Sequence, residues 1–149
     1  MAGFMAEGWL RYFLVDAEGC EYTRYFCNGG NFASAQEAMT AGQPSAYSIQ
    51  ALEDSSLAVF SYKDWLDLLE THPAWGIIHK AVLDQALASA ERRERALVLD
   101  DAATRYAALL ADFPGIESHV RQYDIASYLG ISPVSLSRIR GAISNSGKN

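Results

Sequence analysis

Gln122-Tyr123-Asp124-Ile125-Ala126-Ser127-Tyr128-Leu129-Gly130-Ile131-Ser132-Pro133-Val134-Ser135-Leu136-Ser137-Arg138-Ile139-Arg140-Gly141 is the stretch whose reading decides the fold. Its register is that of a helix-turn-helix. Ile125 and Leu129 lie four apart and share one face of a first helix. Ala126 stands where a second helix must cross closely, which demands a small side chain. Gly130 falls in the turn, where a positive φ is easiest for glycine. Ile131 packs inward behind it. Ser132 is a good N-cap and Pro133 a favoured first helical residue. Leu136 and Ile139 then point back to the first helix. A plain helical hairpin would need these apolar slots and nothing more. The outward positions suit a groove-facing surface: Pro133, Val134, Ser135, Ser137 and Gly141 are small or polar, and Arg138 is a cation. Small side chains allow close approach to DNA, and an arginine can bond guanine through two hydrogen bonds. Arg121, Ser127, Tyr128 and Arg140 are placed for phosphate contacts, which position rather than specify.

Charge sorts the same way. The chain has 149 residues, half of them apolar and a fifth charged, with a net charge of −6. From Ser118 to Asn149 the charged residues are Arg121, Arg138, Arg140 and Lys148 against Asp124 alone, a net of +3. Residues 1–117 therefore carry −9. An acidic front and a small basic rear suggest two jobs in one chain.

Residues 9–62 read mostly as strands. Trp9-Leu10-Arg11-Tyr12-Phe13-Leu14-Val15 is aromatic and β-rich. The turn Asp16-Ala17-Glu18-Gly19 leads into Cys20-Glu21-Tyr22-Thr23-Arg24-Tyr25-Phe26, the returning strand of a hairpin. Asn28-Gly29-Gly30-Asn31 is a loop. The Ala-rich residues 33–41 predict a short helix. Residues 47–52 and 57–61 predict two further strands around the acidic turn Glu53-Asp54-Ser55-Ser56.

From Ser61 the apolar period changes from two to about 3.6. Ser61 caps a helix carrying Trp65, Leu66, Leu68 and Leu69, and His72-Pro73 stops it. A long helix follows from about Ala74 to Leu99, roughly 39 Å of it. Its stripe includes Ile77, Ile78, Ala81, Val82 and Gln85. So long a stripe needs cover, either from its own domain or from a parallel second copy in a dimer seam. Asp100 or Asp101 caps a helix over Ala102–Asp112, buried through Tyr106, Leu109, Leu110 and Phe113. Pro114-Gly115 ends it, two short helices follow, and Ser144–Asn149 reads as a disordered tail.

Residues 123–140 resemble the DNA-binding helices of the Crp/Fnr family of bacterial transcription regulators. Gly8-Trp9-Leu10-Arg11-Tyr12 resembles a strand of that family's sensor domain. Tyr47-Ser48-Ile49-Gln50-Ala51-Leu52-Glu53-Asp54-Ser55 resembles the strand after its phosphate-binding cassette. The resemblance implies an α+β chain in three parts. These are a partial cyclic-nucleotide-binding-type antiparallel β-roll (1–73), a long dimerisation helix (74–99) and a C-terminal winged helix-turn-helix (100–149). It also turns the stripe Ile77, Ile78, Ala81, Val82 and Gln85 toward the dimer reading.

Two departures shape the expected function. The sensor domain begins in its middle, because the family has several strands before Trp9–Val15 and residues 1–7 are too few to supply them. The nucleotide cassette also lacks its chemistry. The Gly-Glu positions fall on Ser34 and Ala35, and the phosphate-binding arginine falls at about Ser45, beside Ala46. A buried phosphate without a cation is prohibitive. Cyclic AMP is therefore not the expected effector. Cys20 and Cys27 are too few for an iron–sulfur sensor and lack zinc spacing.

The expectation is a homodimeric, sequence-specific regulator of palindromic double-stranded DNA, with RNA polymerase as a further partner, an unidentified effector and no cofactor or metal. A small-molecule sensor or interaction module with a vestigial DNA-binding part is the alternative. No enzyme is expected, since His72, His79 and His119 are dispersed without a nucleophile beside them. Nothing in the sequence spans a membrane or begins like a secretory signal, which points to the cytoplasm.

Overall fold

The computed structural model describes residues 2–34 and 43–146. The order of elements is β1 (Ala2–Glu7), β2 (Trp9–Val15), β3 (Glu21–Asn28), β4 (Phe32–Ser34), β5 (Ser48–Ala51) and β6 (Ser56–Phe60), then six helices. These are α1 (Tyr62–Thr71), α2 (Pro73–Leu99), α3 (Ala102–Asp112), α4 (Ile116–His119), α5 (Gln122–Leu129) and α6 (Pro133–Ser146). Two antiparallel sheets form, one ordered β4-β1-β6 and the other β3-β2-β5.

Residues 2–7 supply one strand, β1, and not the several expected to precede Trp9–Val15. Ala2–Glu7 is the centre of the first sheet, with Phe4 opposite both Phe32 and Ala58. It turns into β2 at Gly8, whose φ is +97°. A Cβ there would lie 2.2 Å from Ser55 Oγ and 2.8 Å from the Asp54 carbonyl. Only glycine fits that corner.

Strand β2 explains the layering. Side chains alternate between faces along a strand. Leu10 and Tyr12 face the first sheet and join Met5, Cys27 and Ala33 in one core. Trp9 and Arg11 face the other way. Trp9 joins Phe26 in a second core with Tyr106, Leu109, Phe113, Ile116, Ile125, Leu129 and Leu136. The C-terminal helices therefore cover the outer face of the second sheet, and β2 is buried on both sides. Edge strands β5 and β6 leave Ile49 and Val59 exposed.

The helix boundaries follow local chemistry. Ser61 and Asp64 make a reciprocal capping box for α1. Asp101, not Asp100, caps α3 by accepting from Thr104 N–H at 2.7 Å. The turn of helix Ile116–His119 was not expected; Gly115 starts it with φ +80°. Residues 33–34 are strand rather than helix, and the rest of the predicted 33–41 helix lies outside the described residues. Ser144–Ser146 belong to α6 rather than to the expected disordered tail, whose remaining residues 147–149 lie outside the described residues. No wing strands occur among the described residues.

Candidate nucleic-acid interface

The two helices of the motif meet through Ile125, Ala126, Leu129 and Leu136, each no more than 1% exposed. Gly130 closes α5 in the left-handed region, φ +68° and ψ 34°. Ile131 N–H donates back to the Ala126 carbonyl at 3.1 Å. Ser132 Oγ accepts from Ser135 N–H at 3.1 Å and so caps α6. The register, the turn and the cap therefore take the form that the sequence predicts.

The outer face of α6 is open. Pro133, Val134, Ser137 and Arg138 are exposed, with Ser135 half-buried beside its cap. Among the described residues Arg138 makes no hydrogen bond or ion pair. An unengaged guanidinium on a face of small side chains has the geometry for reading a base edge.

The four expected phosphate contacts divide. Arg121 is exposed and its Nε donates to Asp124 at 2.9 Å. Arg140 Nε pairs with Glu117 at 2.9 Å and stays partly exposed. Ser127 and Tyr128 turn away from the outer surface. Ser127 Oγ accepts from Thr23 N–H at 2.9 Å and donates to the Glu21 carbonyl at 3.2 Å. Tyr128 packs on Phe26, ring centroids 5.3 Å apart, beneath the Arg93 guanidinium. The cause is β3, which lies along that side of α5.

Sequence reasoning missed the group that ties α5 to the sheet. Arg11 and Asp124 are both buried and form an ion pair. Arg11 also pairs with Glu21 and lies over the Phe13 ring, 4.2 Å from its centroid. Asp124 accepts from Arg11 on one oxygen and from Arg121 on the other. The available signal was a charged residue at an inward position of each element: Arg11 between Leu10 and Tyr12, and Asp124 beside Ile125.

Solved structures share this architecture. FixK2 from Bradyrhizobium japonicum superposes with a TM-score of 0.80 at 18% identity, over 98% of this chain and 75% of that one. A Crp/Fnr-family transcriptional regulator from Thermus thermophilus gives 0.71 at 25% identity, over 98% and 76%. The c-di-GMP-responsive global regulator CLP of Xanthomonas campestris gives 0.71 at 17%, over 98% and 78%. The fold is that of the Crp/Fnr regulators. No family sequence profile matches the chain, and no curated protein sequence does.

Among the described residues, the positions expected to form an effector cassette are poor in ligands. Ser34 ends β4, half-buried; Ser45 and Ala46 are exposed, and Ser45 Oγ accepts from Tyr47 N–H at 3.0 Å. Ala35 lies outside the described residues. The nearby hollow between the first sheet and α2, lined by Phe32, Phe60, Trp65, His79 and Val82, encloses about 30 Å³. That is room for a water or two.

Helix α2, where the sequence leads us to expect a dimerisation helix, has 27 residues that include none that is buried. Ile77 is 74% exposed; Ile78, Ala81 and Gln85 are exposed beside it, while Val82 turns toward the hollow. The histidines stay apart. His79 Nδ1 accepts from Trp65 Nε1 at 2.8 Å, and His119 pairs with Glu53 and stacks on Trp9. Among the described residues the one group with metal-ligand spacing is exposed Asp16, Glu18 and Cys20. Asp16 already accepts from the N–H groups of Glu18 and Cys20 and from the Tyr22 hydroxyl. No described helix is long and apolar enough to cross a membrane.

Proposed function

We propose that this chain is a sequence-specific, DNA-binding transcription regulator that acts as a homodimer. Residues 1–73 are its sensor unit, 74–99 its dimer helix and 100–149 its DNA-binding unit. Pro133, Val134, Ser135, Ser137 and Arg138 face the major groove, and Arg121 and Arg140 hold phosphates. The observation that carries this reading is the unpaired Arg138 on the open face of a helix fixed at its start by Gly130 and Ser132. The unburied length of α2 supports the dimer, since Ile77, Ile78 and Ala81 would otherwise leave apolar side chains in water. The effector is not cyclic AMP, because the described cassette positions bring no cation to a phosphate.

Selection of genomic fragments on the purified protein, followed by fluorescence anisotropy, tests this. The selected sites should be near-palindromes with half-sites about one DNA turn apart. Arg138→Ala should cost ~1–3 kcal/mol on the selected site and relax preference at one base pair. A uniform loss across all sequences would show that Arg138 touches phosphate only. Failure of the wild-type protein to retain any DNA at low salt would end the proposal.

A further inference from the structure

The C-terminal end of α2, the body of α3 and the end of α5 enclose a second cleft of about 340 Å³. That is the size of a small-molecule site. Arg92, Arg93, Arg95 and Arg105 line it, against Asp100 and Asp112. Among the described residues no carboxylate lies within 4.0 Å of any of these four guanidinium groups. This is unusual in a chain of net −6, where acids are plentiful.

Two of the arginines are fixed, and they are fixed by carbonyls. Arg93 Nη1 donates to the Tyr128 carbonyl at 2.8 Å and Nη2 to the Thr23 carbonyl at 3.3 Å, while its buried Nε has no partner. Arg105 Nε donates to the Leu129 carbonyl at 3.1 Å and Nη1 to the Asp100 carbonyl at 2.6 Å. Carbonyl dipoles hold a guanidinium in place without cancelling its charge. Burial lowers the pKa of Arg93, partly offset by Tyr128, and the neighbouring charges of Arg24 and Arg105 lower it further. Arg92 and Arg95 stand exposed at the rim. Four guanidinium groups against two carboxylates leave the concavity with an excess of positive charge. Guanidinium forks match phosphate and carboxylate oxygens.

We propose that this cleft binds a small polyanion, an organic phosphate or polycarboxylate, between Arg92 and Arg95 at the rim and Arg93 and Arg105 at the floor. The site differs in place and residues from the cassette around Ser34 and Ser45. Its floor touches the carbonyls of Tyr128 and Leu129, the last two residues before Gly130. An occupant drawing on Arg93 and Arg105 therefore acts at the turn that sets the direction of α6.

The test is calorimetric titration of the full chain with inorganic pyrophosphate and with citrate, at constant ionic strength made up with sodium chloride. Saturable binding, one anion per chain, is expected. The double variant Arg92→Gln/Arg95→Gln should fold as the wild type, both side chains being exposed, and bind roughly tenfold more weakly or worse, through loss of two charge-assisted contacts. Lys80→Gln, on the same helix outside the cleft, should bind like the wild type. Heats no larger than the chloride-matched control overturn the proposal, as does equal affinity in the double variant. If the double variant instead loses only DNA affinity, with a shallower salt dependence, the arginines are DNA phosphate contacts and the small-anion site is refuted.

Discussion

Replacing Arg11 by Met, Asp124 by Leu, and both together tests what holds the motif to the sheet. Arg11 is 1% exposed and Asp124 is fully buried. Arg11→Met leaves a buried carboxylate with Arg121 Nε as its remaining ion partner. Asp124→Leu leaves a buried guanidinium with the partly exposed Glu21. Breaking a buried pair from one side costs ~3–5 kcal/mol, most of it the stranded charge. A second partner survives in each case, so each single variant should sit near the lower end, at about 3 kcal/mol. At this chain length that is a fall in Tm of about 6–12 °C. The double variant strands neither charge and places two apolar side chains near Phe13 and Phe26. It should be no worse than either single, a coupling energy of about 3 kcal/mol. Thermal and urea unfolding by circular dichroism, at one fixed protein concentration because any self-association shifts Tm, measures all four proteins. If the single losses simply add, or each falls below ~1 kcal/mol, the pair does not anchor the motif.

The two glycines Gly8 and Gly130, both with positive φ, should differ in cost. Gly8→Ala meets Ser55 and the Asp54 backbone, and should destabilise by more than ~2 kcal/mol. Gly130→Ala meets only Leu97 at 3.6 Å and should cost ~1 kcal/mol for the left-handed backbone, a ranking that urea midpoints check. Burial pushes the Cys27 thiol up to about 11, whereas Cys20 is exposed. Ellman's reagent at pH 8 should therefore titrate one thiol quickly and the second only in denaturant; two fast thiols would contradict the burial of Cys27. Ile77→Glu with Ala81→Glu should convert a sedimenting dimer to monomer, since both residues lie exposed on one side of α2.

Legibility in the sequence followed locality. Gly130, Ser132 and Pro133 act on their own neighbours, so turn and cap were visible from residue type alone. The same holds for Ser61 with Asp64 and for the span Ala102–Asp112. Strand Ala2–Glu7 was hidden because its pattern is short and its partners, Phe32–Ser34 and Ser56–Phe60, are distant in sequence. The inward turn of Ser127 and Tyr128 was hidden for the same reason: helical spacing fixes which residues share a face, but not that β3 covers that face. Arg11 and Asp124 are 113 residues apart. Each was visible as a charge between apolar neighbours, and only the fold makes them partners.

That partnership changes the meaning of the charge asymmetry. Counted along the chain, residues 118–149 hold four cations and one acid, Asp124. In the structure that acid is buried and bonded to Arg11, a cation contributed by the acidic half. The two halves exchange one charge each across their contact, and the only described acid of the basic segment is hidden from solvent. A polyanion approaching α5 and α6 meets Arg121, held by buried Asp124, Arg140, shared with the partly exposed Glu117, and Arg138, which pairs with no described acid. Docking on the sheet thus hides the one acid of the surface proposed to face DNA, while α6 itself remains uncovered. A helical hairpin selected only for packing has no need to bury its single carboxylate and leave Arg138 unengaged; a surface that must attract phosphate does.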